Sequence, residues 1–321
     1  MILSDPRSVH LMTTIASHRS SLDLMHTSKP KVRLLSPWNK RFETSDAIFS
    51  ADIPTKEADA LLCEWAPHPE LFTFPRRKAW YCCEPECQFL HLEQGTWPVM
   101  KAKLSAHEFL CHGHSDPQYR VPHMTHFGTL DVNRELDRRE KAIAIVSNHG
   151  GFPWKCHPQI ALRNQFITDP TVDLYGRTGW KRYRRHWYSR PSPPANYRGE
   201  LPGDWHEGEK RRLQASYKVS VCFENMCEPH YFTEKFVEAV IAGCVPVYRA
   251  DSTLRETILK GAFWIDPQDF GNSVSETMEK ALKSDLSAVQ KQNAKWLNKN
   301  SHLHETNSSV VLTTIAKLLL K

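Results

Sequence analysis

Glu234 and Lys235 stand where the sequence could build an anion site. Behind them Phe236, Val237, Val240 and Ile241 recur at i, i+1, i+4 and i+5, the spacing of an amphipathic helix, with Thr233 at its cap and Gly243 closing it ahead of Pro246. The first turn of such a helix carries N–H groups without intrahelical acceptors and the positive end of the aligned peptide dipoles. Lys235 adds a full charge at that point, and a diphosphate meets these requirements. A solvated Glu-Lys pair opening an ordinary helix has the same spacing, so the pattern alone leaves both readings open.

The neighbouring segments must bring that first turn to a site. Over the second half of the chain the order is strand (142–147), helix (158–168), strand (172–175), a long basic loop, strand (219–223), helix (233–242) and strand (245–248). Repeated βα units of this kind specify a doubly wound parallel sheet. In the first half, short apolar runs at 32–36, 58–65, 78–83 and 107–111, each bounded by turn residues, read as buried parallel strands. The charged stretch Leu130 to Lys141 reads as a helix between the halves. The fold class is therefore α/β, with two doubly wound halves side by side and ligands bound at the carboxyl ends of their strands. At about 150 residues per domain, 321 residues accommodate two.

Specific strings then narrow the reading. Phe223-Glu-Asn225, Tyr231-Phe-Thr-Glu-Lys235 and Ala239 to Val247, written F-E-N, Y-x-T-E-K and A-x-x-A-G-x-V-P-V, resemble the donor-binding signature of the α-1,3/4-fucosyltransferases, glycosyltransferase family 10. In the same order upstream, Ser147-Asn148, Arg163-Asn-Gln-Phe166 and Val172-Asp-Leu-Tyr-Gly-Arg177 are similar to further elements of that family. Gly261 to Phe270 is similar to its G-S-F-I-x-x-x-D-F stretch. The resemblance covers 142–271 and thins on either side.

It implies a GT-B-like fold of two Rossmann-like domains facing a cleft. Residues 1–137 would be the acceptor side, 138–300 the GDP-fucose-binding domain and 301–321 a C-terminal helix. It also implies an inverting transfer of L-fucose from GDP-fucose to a hydroxyl of an oligosaccharide or glycoconjugate, O3 of GlcNAc or Glc. By position, Arg163 and Lys235 would neutralise the departing pyrophosphate and Glu234 would accept from the ribose hydroxyls. Asn225 and Tyr231 would hold the donor at the cleft mouth, with Glu224 near the fucose. The linker Met226-Cys-Glu-Pro-His230 departs from the family pattern. No D-x-D string occurs, so no metal ligand is assigned, no cofactor is required, and side-chain cations are the more economical counter-charge.

An inverting transfer needs a base beside the acceptor hydroxyl, from the domain opposite the donor. Glu84, directly after the apolar run that ends at Cys83, resembles the family's strand-then-Glu position and is the expected base; Glu86 and Glu64 are the competing strand-end carboxylates. His107, His112, His114, His123 and His126 form a dense run, read as strand-end and loop histidines lining a sugar cleft, or as plain surface histidines, rather than as a zinc site. The loop Arg177 to Arg190 interleaves cations with aromatics, the mixture used for single-stranded nucleic acid. Its place inside the donor domain fits a glycan, a lipid head group or a solvated insertion equally well, so no nucleic-acid partner is expected. A same-fold enzyme with another nucleotide sugar, and a non-catalytic basic binding module, are the rival readings.

Composition sets the outer bounds. Lys and Arg total 42 against 36 Asp and Glu, a formal charge of +6, which favours anionic ligands only weakly at this length. The nine cysteines are odd in number and irregular in spacing, so they are read as reduced or packed thiols. Pro (21) outnumbers Gly (13) beside 10 Trp, the mark of long aromatic-bearing connections, which often carry binding surfaces. The first thirty residues are interrupted by Asp, Arg and His, and the apolar run 310–320 is too short to span a bilayer. The expectation is a protein soluble as given, cytoplasmic or peripheral at the membrane in a bacterium, or in the Golgi lumen as part of an anchored enzyme.

Overall fold

Runs buried on both faces need layers on both sides, and two parallel sheets organise the chain accordingly. A computed structural model describes residues 28–37, 40–83, 99, 101–123, 139–146, 158–176, 193–201, 209–305 and 308–321. The first sheet comprises β1 (Lys31–Leu35), β2 (Arg41–Glu43), β3 (Ile48–Ser50), β4 (Ala60–Glu64), then helix α1 (Glu70–Thr73), β5 (Arg77–Cys82) and β6 (Phe109–Cys111). Their spatial order is β2-β3-β1-β4-β5-β6, parallel throughout except for the β2–β3 pair. All five residues of β4, Ala-Leu-Leu-Cys-Glu, are buried, as a central parallel strand requires.

The second sheet begins with β7 (Arg139–Val146), followed by α2 (Pro158–Ile167), β8 (Val172–Gly176), β9 (Tyr197–Glu200), α3 (Glu209–Ala215), β10 (Tyr217–Val221), α4 (Glu234–Ile241) and β11 (Val245–Val247). The order is β11-β10-β7-β8-β9, all parallel. The start of β7 corrects the helix expected up to Lys141. Residues 139–141 are strand, because Arg139 pairs with Tyr217 on β10 and the Lys141 ammonium is bound to Asp173 on β8. Residues 130–138 lie outside those described. The mixed α/β layering with two parallel sheets is the class expected.

The chain then runs through α5 (Ser252–Glu256), α6 (Val274–Lys283), α7 (Leu286–Lys299), α8 (Ser301–Glu305) and α9 (Ser308–Leu320). Whereas α6 packs on the second sheet, α9 returns to the first: Val311, Ile315, Ala316 and Leu319 join Val32, Leu34, Leu62 and Ala79 in one core. Among the described residues no helix is long and apolar enough to cross a membrane. Ile315 is fully buried in that shared core. Ile315→Ala is expected to lower the free energy of unfolding by about 2–5 kcal/mol, against under about 0.5 kcal/mol for Lys317→Ala on the exposed side. Urea denaturation measures both, and equally small losses would mean that α9 is not seated on the sheet.

Candidate active site

In a doubly wound sheet the ligand crevice opens at the carboxyl ends of the strands where the chain changes its direction of travel across the sheet. Here β8 and β9 follow β7 on one side and β10 and β11 lie on the other, so that point falls between β7 and β10. A cleft of about 210 Å³ lies there, with Val146 at the end of β7 and Phe223 just past β10 in its walls. Arg163, Asn225, Glu234 and Lys235 line it, so four of the expected donor residues meet in one cavity.

Local structure explains their convergence. Phe166 on α2 is buried edge-to-face against Phe223, with centroids 5.0 Å apart. That contact fixes the face of α2, and Arg163, one turn earlier on the same face, points into the cleft. Its Nη1 donates to Asn225 Oδ1 at 3.1 Å, joining α2 to the strand end.

Helix α4 is held to β10 by Glu224, which is 1% exposed. Glu224 Oε1 accepts from the Thr233 backbone N–H at 2.9 Å and from the Tyr248 hydroxyl at 3.2 Å, while Oε2 accepts from the Thr233 hydroxyl at 2.6 Å. Thr233 occupies the N-cap position, yet its hydroxyl turns to this carboxylate rather than capping the helix backbone. Lys235 Nζ lies 3.2 Å from Glu224 Oε2, 3.0 Å from the Thr233 hydroxyl and 3.3 Å from Glu234 Oε1. The ammonium is thus fixed over the first turn of α4, with its helix N-terminus and charge aimed at the same volume. Glu224 sits behind this arrangement, not in the cleft lining.

Three further polar side chains line the cleft that motif reading did not single out: Lys210 and Gln214 from α3, and Glu238 from the second turn of α4. Lys210 and Glu238 form a buried ion pair at 2.5 Å. Glu238 lies four residues after Glu234 on one helix face, a spacing the sequence did display. Lys210 lies in a short, strongly charged helix without an apolar stripe, and nothing in the sequence marked it. Burial pushes the Glu238 carboxyl up, opposed by Lys210. Burial also acts on Glu234, but Lys235, His123 and Lys210 more than offset it and hold that carboxyl well below the ordinary range.

The other lobe reaches the cleft through His123, whose Nδ1 lies 3.4 Å from Glu234 Oε2. His123 in turn rests on His112, with ring centroids 4.5 Å apart, and His112 is fixed by Tyr81 OH at 3.0 Å and Val121 O at 2.7 Å. Tyr231 is buried at the joint between the lobes: a Cβ on Gly113 would come within 3.2 Å of its Cα, and Gly113 itself takes a left-handed φ of 68°. Glu64 ends β4, buried, and accepts from the Ser36 hydroxyl. Glu84 and Glu86 lie outside the described residues, as do His126 and the basic loop 177–190. Among the described residues no group of three or more His, Cys, Asp or Glu side chains is disposed to hold a metal ion.

Because the folded-state pKa of Glu234 lies below its unfolded value near 4.3, its charge stabilises the fold fully above that pH, and the contribution is lost as pH falls below it. The difference in melting temperature between the wild type and Glu234→Gln is expected to be largest at pH 6–7 and to shrink from about pH 5 to about pH 3. A constant difference across that range would show that Glu234 does not carry the depressed pKa.

A crystal structure described as an alpha1,3-fucosyltransferase matches over 94% of this chain and 93% of its own, with a TM-score of 0.52 and 13% identity, a likeness of fold. A structure of an alpha1,3-fucosyltransferase with GDP-fucose aligns over 94% of both chains at 13% identity and a TM-score of 0.43. No curated protein sequence matches. The family model described as glycosyltransferase family 10 (fucosyltransferase) C-term matches residues 137–309, more than half the chain and the whole of the cleft's lining. Two Rossmann-like sheets of the GT-B type, with Arg163, Asn225, Glu234 and Lys235 lining a cleft at the switch point, agree with that match, and the chain belongs to glycosyltransferase family 10, the fucosyltransferases.

Proposed function

We propose that the chain transfers L-fucose from GDP-fucose to a glycan hydroxyl, O3 of a GlcNAc or Glc unit, with inversion at the sugar carbon. The observation that carries this reading is the meeting of Arg163 and Lys235 on one cleft, over the first turn of α4. Two fixed cations and a helix N-terminus match the two charges of a diphosphate, and they stabilise most where charge develops as the sugar–phosphate bond breaks. Glu234, beside Lys235, accepts from the ribose hydroxyls. Asn225 orients Arg163 through their hydrogen bond, and Glu224 acts as a positioning residue that holds Thr233 and Lys235. Tyr231 closes the cleft at the lobe joint.

In the transfer itself, the acceptor oxygen bonds to the sugar carbon as the bond from that carbon to the β-phosphate oxygen breaks. The acceptor proton passes to a carboxylate of the opposite lobe, and GDP leaves against Arg163 and Lys235. Glu84 is the base in this reading. It follows the carboxyl end of β5, which lies between β4 and the edge strand β6, and from β6 His112 leads on to His123 and the cleft. Side-chain cations supply the counter-charge, so no divalent metal is needed. A glycan acceptor and a nucleotide-sugar donor are the only partners the reading requires.

Thermal denaturation in EDTA tests the donor, since a ligand that binds only the folded state raises the melting temperature by mass action. GDP and GDP-fucose are expected to raise it and UDP, ADP and CMP to leave it in place; stabilisation by UDP instead would move the chain to another nucleotide sugar. Lys235→Ala is expected to weaken GDP about tenfold or more by titration calorimetry and to lower turnover with it. In Glu84→Gln, transfer is expected to fall by about 10²–10⁴ with GDP affinity nearly unchanged. Full activity in that variant would place the base elsewhere.

A further inference from the structure

A second cavity, of about 350 Å³, opens between the lobes next to the donor cleft. The two adjoin where His123, which lines the cavity, meets Glu234, which lines the cleft. Arg120, His112 and His123 face it from the first lobe and His230 and His302 from the second, while Phe232 and Ile258 supply apolar wall. No Asp or Glu is among its described lining residues. The two carboxylates whose charge is felt by Arg120 and His230 are Asp116 and Asp251. Each serves its own turn: Asp116 accepts from Gln118 N at 2.9 Å, and Asp251 from Thr253 N and from the Thr253 hydroxyl, both at 2.8 Å.

The polar wall is held firmly. Arg120 donates through Nε and Nη2 to the His114 carbonyl at 3.0 and 2.9 Å, which fixes the plane of its guanidinium. His230 has a φ of 61°, a left-handed conformation that a residue with a Cβ seldom adopts and that marks sites where the surroundings enforce it. The enforcement is visible on both sides: the His230 N–H donates to the Thr253 hydroxyl at 2.9 Å, and the next residue, Tyr231, is clamped against Gly113 of the other lobe. Burial first, and then the charge of Arg120, hold the His230 imidazole below its ordinary pKa. His112 is committed to Tyr81 and Val121 and serves as a wall.

A guanidinium and imidazoles gathered on one cavity without a lining carboxylate suit a ligand that is anionic and accepts several hydrogen bonds. We infer that this interlobe cavity binds an oxyanion, as free sulfate or phosphate or as an acidic substituent on the acceptor glycan. Bound there, it would contact both lobes at once, beside the residue that meets Glu234. The oxyanion site goes beyond the donor assignment and does not depend on it, whereas its occupation by an acceptor substituent rests on the proposed transfer.

Titration calorimetry of the whole chain with sodium sulfate tests it, at ionic strength held constant with chloride and with GDP present in excess. Saturable binding is expected in the wild type, weakened about tenfold or more in Arg120→Gln and in His230→Asn, whose side chain tolerates the left-handed backbone. His302→Gln, at an exposed position, keeps the comparison available if Arg120→Gln does not fold. Non-saturable heats, or equal affinities in wild type and variants, would overturn the inference. Lys235→Ala, titrated without GDP, is expected to retain sulfate binding; its loss there would assign the ion to the donor cleft and overturn the inference as well. Failure of GDP to bind would sink the donor reading while leaving the Arg120 and His230 comparison intact. Transfer to N-acetyllactosamine and to its 6-sulfated form separates the sources. A preference for the sulfated acceptor that disappears in Arg120→Gln identifies an acceptor substituent, and sulfate binding without such a preference identifies the free ion.

Discussion

The carboxylate of Glu224 is the point on which the second lobe turns. It lies three residues past the end of β10, almost fully buried, and it engages the backbone and hydroxyl of Thr233, the phenol of Tyr248 and the ammonium of Lys235. A buried carboxylate is tolerated only where its oxygens are satisfied and a cation stands close, and all of those partners belong to segments that must meet for the cleft to exist. Strand β10, the start of α4 and the residue following β11 are thereby locked together. By drawing the Thr233 hydroxyl to itself, Glu224 also keeps that hydroxyl from capping the first turn of α4. The open first turn of the helix and the place where the helix is held are thus set by one side chain.

The same economy runs along α2 and α4. Phe166 and Arg163 lie one turn apart, so burying the ring against Phe223 aims the guanidinium. Glu234 and Glu238 also lie one turn apart, and the first is charged at the cleft while the second is buried against Lys210. In each case the packing contact and the chemical group share a helix face, so the cleft's electrostatics follow from how two helices seat on one sheet.

Much of this was legible from sequence wherever apolar pattern and chemistry coincided. The buried strands β1, β4, β5, β8, β10 and β11 are short apolar runs, and α4 has a clear apolar stripe, so their existence and the carboxyl-end location of the cleft could be read directly. Elements whose burial is polar escaped. The edge strand β9 is Tyr-Arg-Gly-Glu and half exposed, with no apolar run to announce it. Helix α3 buries Lys210, Arg211 and Gln214, residue types that periodicity analysis assigns to solvent. The charged start of β7 looked helical because its strand character comes from Asp173, a residue more than thirty positions away. His123 could be counted among the histidines, but its approach to Glu234 depends on how the two lobes meet, which no local pattern encodes.

The return of α9 to the first sheet makes the N-terminal lobe discontinuous in sequence. Val32 and Leu34, near the start of the described chain, share a core with Ile315 and Leu319, near its end. Contacts of such sequence separation form late, because nearly the whole intervening chain must be ordered or looped before they close. During synthesis the second lobe, whose strands are consecutive, can finish its sheet while the first lobe still lacks the helix that covers one of its faces. The lobe translated first is therefore the one completed last, and until α9 leaves the ribosome the apolar face it covers stays open to chaperones, or to a second copy of the same unfinished sheet.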